Sequence, residues 1–90
     1  MITYDEDKRR ANLRKHGLDF AGADTIFDHP VVSVEDDRES YGEKRINVLG
    51  FLDGEIVFLT YTERGEDFRA ISLRKATRHE IRHYAKSISC

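Results

Sequence analysis

The 90-residue chain has a single cysteine, Cys90, so no internal disulfide framework can hold it together. That scarcity fits a reducing cytoplasm. No apolar run approaches the ~18 residues that a membrane-spanning helix needs, and the start, MITYDEDKRR, is too polar for a secretory signal. A soluble, cytoplasmic protein with no membrane partner is expected. An excess of one charge is missing as well: 15 Lys and Arg against 17 Asp and Glu leave a net charge of −2, which argues against a simple polyanion binder. Repeats, linkers and low-complexity segments are also lacking. A chain of this length is expected to form a single domain, 1–90, with a modest core and a site on an open surface instead of a deep cleft.

What is present is 39% apolar and 36% charged residues, the balance of a folded domain with a heavily charged surface. The charges are segregated. Asp24, Asp28, Glu35, Asp36, Asp37 and Glu39 lie in the middle, while basic residues gather in KRRANLRKH near the start and RAISLRKATRHEIRHY near the end. Should these two basic segments meet in space, one face would be positive despite the acidic total.

Asp5 to His16 is rich in helix formers and is closed by Gly17, the residue that best tolerates the left-handed conformation after a helix. A second helix is predicted from Asp19, whose carboxylate can cap it, with Phe20, Ala23, Ile26 and Phe27 facing the core before Pro30 ends it. Four β-branched and aromatic runs come next, VVSVE (31–35), RINVLGFL (45–52), EIVFLTYTE (55–63) and DFRAISLR (67–74). Their short links predict an antiparallel meander. Thr77 with Glu80 three positions on is a capping box, opening a last helix predicted to bury Ile81, Tyr84, Ala85 and Ile88. The expected fold is α+β: two N-terminal helices, a four-stranded antiparallel sheet and a C-terminal helix.

HEIRH (79–83) matches the zinc-protease signature H-E-x-x-H. Helical spacing, however, puts His79 and His83 opposite the apolar stripe, no third ligand follows in YAKSISC, and Glu80 already serves the capping box. No metal is expected there, nor any cofactor. On the first helix, Lys8, Asn12 and Lys15 form a polar stripe about 60° wide, readable as a solvated face or as a binding stripe. On the last strand, alternation puts Phe68, Ala70, Ser72 and Arg74 on one face and Arg69, Ile71 and Leu73 on the other. A three-residue loop at Arg64-Gly65-Glu66 would put Val57, Leu59 and Tyr61 in the core with Ile71 and Leu73, and Thr60, Thr62 and Ser72 on the face of Arg74; a two-residue loop would change that match.

KRRANLRKHGLDFAGADTIFD, GEKRINVLG and YTERGEDFRAISLRKATRHEIRHY together resemble the BrnT family of type II toxins, small ribonucleases with a RelE-like fold. The resemblance runs from about Tyr4 to Tyr84. Its most specific parts are N-x-x-K-H-G (Asn12, Lys15, His16, Gly17), the E-x-R of Glu43 and Arg45, and R-G-x-x-x-R-x-I-S-x-R-x-A-T-R-x-E from Arg64 to Glu80.

The resemblance implies metal-independent RNA cleavage, in which the ribose 2′-OH attacks its own phosphate. Such chemistry needs fixed cations around the phosphate and groups that move protons near neutral pH. Arg64, Arg74 and Arg78 suit the first task, and Lys15 and His16 would approach from the first helix. His16 reads equally as an acid/base group or as a helix-end histidine favoured by the dipole. Lys8, Asn12, Arg45 and Ser72 are the substrate-binding candidates, with Arg45 equally readable as structural. Glu63 reads as a base or, preferably, as an ion-pair partner of Arg69. The family further implies a cognate, DNA-binding, BrnA-like antitoxin, through which alone the chain would meet DNA. The alternative is a non-catalytic nucleic-acid or protein-binding module on the same scaffold.

Overall fold

The computed structural model describes residues 1–34 and 44–88. Glu35, Asp36, Asp37, Glu39, Glu43 and Cys90 lie outside the described residues. Strand β1 (Ile2–Thr3) leads into helix α1 (Glu6–His16). Asp5 caps α1 by accepting from the backbone N–H of Asp7 (2.8 Å) and Lys8 (3.3 Å). Gly17 ends it at φ 71°, where its N–H reaches the Leu13 carbonyl.

The second helix differs from expectation. Gly22, at φ 82°, interrupts the segment, and a six-residue 3-10 helix, Ala23–Asp28, forms in its place. Asp19 turns the chain instead of capping a helix, accepting from Ala21 N–H and from the Arg9 guanidinium (3.0 Å each). Three of the four apolar positions expected inside, Phe20, Ala23 and Ile26, are buried, whereas Phe27 is exposed, its ring lying edge-on against Tyr61 and Phe68.

Strands β2 (Val32–Val34), β3 (Ile46–Leu52), β4 (Glu55–Arg64) and β5 (Asp67–Lys75) precede helix α2 (Arg78–Ile88). The sheet has five strands in the order β1-β5-β4-β3-β2, and β1 runs parallel to β5. The expected four-stranded antiparallel meander is therefore corrected to a five-stranded mixed sheet within the α+β class. Two residues are too few to show alternation, so β1 left no pattern in the sequence.

The core lies on one face of the sheet, where Phe20, Ala23 and Ile26 meet Val48, Leu52, Val57, Leu59, Ala70 and Leu73. Gly50 permits that approach: a Cβ there would fall 2.2 Å from Ile26 Cγ1. Helix α2 packs on the opposite face against β2 and β3. Its single buried residue is Tyr84, whose hydroxyl donates to the Pro30 carbonyl (2.8 Å). Ile81, Ala85 and Ile88, expected inside, are exposed. No helix among the described residues is long and apolar enough to cross a membrane.

Helix α1 is attached by polar contacts more than by apolar burial. Its one buried side chain is Asn12. The Asn12 amide donates to the carbonyls of Leu18 (3.0 Å) and Leu73 (2.9 Å), and its oxygen accepts from Leu73 N–H (3.1 Å). It thus completes the hydrogen bonding of β5 beyond the end of β1.

Candidate functional site

The turn after β4 is the two-residue alternative to the three-residue loop. Arg64 pairs with Asp67, leaving Gly65 and Glu66 as the loop, with Gly65 at φ 63°. A register shift then falls at Thr60/Tyr61, so that Ser72 pairs with Thr60 and Ala70 with Tyr61. The extra residue, Ile71, makes a β-bulge in β5.

The bulge reverses the inside-outside order of half a strand. Beyond it, Phe68 and Ala70 join Leu73 on the core side, whereas strict alternation put them opposite. Arg69 moves the other way. On the face away from the core the register aligns Phe58 with Arg74, Thr60 with Ser72, Thr62 with Arg69 and Arg64 with Asp67. Asn47 on β3 lies beside Thr60 and accepts its hydroxyl (2.7 Å). Arg45, two residues before Asn47, continues the same face. Four arginines, at 45, 64, 69 and 74, therefore share one side of the sheet with the hydroxyls of Thr60, Thr62 and Ser72.

Arg74 is held on several sides. Its fork donates to both oxygens of Glu80 (2.8 and 3.0 Å), one nitrogen also reaches the Lys75 carbonyl (3.2 Å), and its Cζ lies over the Phe58 ring, 4.2 Å from the ring centre. This bidentate, stacked geometry suits arginine and not lysine. Glu80 also accepts from Thr77 N–H (2.9 Å), while Thr77 Oγ1 accepts from Glu80 N–H (3.2 Å), so the capping box and the ion pair share one carboxylate. The Arg74 guanidinium, helped by the Thr77 N–H, holds the Glu80 carboxyl down at about 2. His79 and His83 are both exposed, and HEIRH contributes a cap and a clamp through its glutamate.

Of the residues singled out from sequence, Arg45, Arg64, Ser72 and Arg74 share the far face, and Arg78 stands exposed at the first position of α2. Lys15 and His16 end α1, and Lys8 lies one turn before Asn12. The Asn12–Leu73 bonds place that helix along the strand carrying Ser72 and Arg74, so the two basic segments of the sequence do meet. Asn12 itself is buried and spends its amide on the backbone. The expected Glu63–Arg69 ion pair is corrected: Glu63 pairs with Phe68 on the core side, across the sheet from Arg69. Thr62 lies on the face expected of it, whereas Arg69, expected on the opposite face, is brought there by the bulge. The available signal was the change of apolar parity between Ala70 and Leu73, which marks an extra residue in the strand.

An α+β chain with arginines and hydroxyls on one sheet face, flanked by a lysine-bearing helix, presents the groups that proteins use on RNA phosphates and sugars. The family model described as the ribonuclease toxin BrnT of type II toxin-antitoxin systems matches residues 4–80, and the chain belongs to that family. The family is one of ribonuclease toxins that work with an antitoxin partner. Comparison with curated proteins gives no match.

Proposed function

We propose that this chain is an endoribonuclease toxin that cleaves RNA in the cytoplasm without a metal ion, and so stops translation and growth. The observation that supports this best is the β4–β5 register, which aligns Arg64, Ser72 and Arg74 along one face, with Arg74 beside the N-terminus of α2. The ribose 2′-OH gives up its proton to a base and attacks the adjacent phosphorus. The O2′–P bond forms, the P–O5′ bond breaks, and the leaving O5′ takes a proton from an acid. The products are a 2′,3′-cyclic phosphate and a 5′-hydroxyl.

In this reading Arg74 and Arg78 stabilise the charge that develops on the phosphate, with Glu80 holding the Arg74 fork rigid, while Arg64, six residues from Phe58 along β4 and so about 20 Å away on the ladder, holds a more distant part of the RNA backbone. Lys15 and His16 act from the end of α1, His16 as the proton carrier. Lys8, Arg45 and Ser72 bind the substrate backbone, while Asn12 positions the helix. A cognate DNA-binding antitoxin covers the basic surface and neutralises the toxin.

The test is incubation of the purified chain with end-labelled RNA in EDTA. Shortened products ending in 2′,3′-cyclic phosphate are expected. RNA that is retarded but intact would instead make this a binding module, a reading that the tie between Arg74 and Glu80 favours, since it offsets part of that cation's charge.

A further inference from the structure

We infer that Thr62 and Arg69 form a second phosphate subsite, which captures an RNA phosphodiester next to the cleavage site without taking part in bond breaking. This rests on the ribonuclease reading above. Three features of the sheet lead to it. The β5 bulge carries Arg69 out of the core-facing row and sets it directly across from Thr62 on the far face. Thr62 is 2% exposed, and its Oγ1 has no hydrogen-bond partner among the described residues. Arg69 is half-buried and forms no ion pair among the described residues.

A buried hydroxyl without a partner is rare in folded proteins and calls for a reason. A cross-strand guanidinium supplies one, because side chains directly opposite on neighbouring strands lie about 5 Å apart at Cβ. The hydroxyl has no exposed surface in the free protein, so the side chains over it must draw aside; a phosphate oxygen held by the Arg69 fork would then also accept the Thr62 hydroxyl and complete what the free protein leaves open.

The ladder also separates this subsite from Arg74. Thr62 and Phe58, the partners of Arg69 and Arg74, are four residues apart on β4, a rise of about 13 Å. Arg74 is in addition drawn toward α2 by Glu80. The two arginines therefore serve different phosphates along one strand of RNA, and the loss of Arg69 should weaken binding more than turnover.

The experiment measures cleavage of a labelled RNA oligonucleotide, and binding of its uncleavable 2′-O-methyl analogue, over a range of salt concentrations. Arg69→Ala is expected to raise KM and the analogue's Kd about tenfold, the scale of one charge-assisted hydrogen-bonding group. The slope of log affinity against log salt should shrink by about 0.7, one phosphate contact on a single strand. Arg69→Lys should keep that slope and recover part of the affinity. Thr62→Val, which replaces the orphaned hydroxyl with a methyl group, should raise Tm while weakening binding of the analogue. An Arg69→Ala variant with unchanged KM and salt slope would overturn the proposal, as would one that loses kcat alone. If the wild-type chain binds the analogue but leaves RNA intact, the ribonuclease reading fails, while the Arg69 comparison on the analogue still decides the subsite.

Discussion

Glu80 does two jobs with one carboxylate, and its removal should be felt in both. Glu80→Ala deletes the reciprocal cap of α2 and strands the Arg74 fork in a partly buried place. A loss of about 2 kcal/mol is expected, from one cap and one pair of charge-assisted bonds, or roughly 10 °C in Tm for a domain of this size. Changing His79 and His83 together to Ala should stay within about 0.5 kcal/mol, because both are exposed. Melting curves on the two variants test this ranking, and a more damaging double histidine change would contradict it. The same carboxylate predicts a pH dependence. Its folded pKa, about 2, lies below its ordinary value of 4.5, so its contribution is complete above that ordinary value and is lost as pH falls toward 2. Denaturant midpoints for the wild type should drop more steeply across that window than those for Glu80→Gln. At Arg74, a lysine keeps the charge but cannot reproduce two parallel bonds and a stacked plane, so Arg74→Lys should fold with reduced cleavage.

Helix α1 and strand β5 form the joint on which the proposed site is built. Most helices dock by an apolar stripe, but α1 buries only Asn12 and relies on hydrogen bonds to Leu73 and Leu18. Asn12→Ala leaves the Leu73 N–H and carbonyl without partners in a buried place and should cost about 2–3 kcal/mol. The loss should be concentrated in α1, visible as faster hydrogen exchange of its amides while β3 and β4 stay protected. Cleavage should fall with it, since Lys15 and His16 depend on the same joint. Exchange rising equally across all strands would show that α1 is not a separate unit. Helix α2 is anchored differently, through Tyr84 and the Arg74–Glu80 pair, which is why much of its apolar stripe can remain exposed.

Across the molecule, the close approach of the 3-10 helix to β3 is the tightest constraint. Gly50→Ala would drive a methyl group into Ile26, and overpacking of this kind costs about 1–3 kcal/mol. Pairing it with Ile26→Ala, which removes both atoms in the way, should recover part of the loss, which a melting series can follow. Uniform destabilisation by both changes, with no recovery, would show that the layers do not meet there. The net charge of −2 does not oppose RNA binding, because α1 brings its basic residues alongside β5. RNA affinity should accordingly fall with rising salt, while the acidic remainder of the surface keeps non-specific polyanion binding weak.

Features that act over a few residues were legible in the chain alone: the Gly17 stop of α1, the Thr77–Glu80 capping box, the place of the turn at Gly65, and the runs that became β3, β4 and β5. These depend on side chains reaching their own backbone, which nearby residues decide. Contacts between distant segments settled the rest. The pairing of Ile2 and Thr3 with Phe68 and Arg69 joins segments more than 60 residues apart, and Asn12 became a sheet-edge partner through a contact spanning 61 residues. The bulge at Ile71 arose because Leu59 meets Leu73 while Tyr61 meets Ala70. A strand in isolation has two equivalent faces, and the choice between them is made by the partners that cover one, so the position of Arg69 beside Thr62 had to wait for the fold.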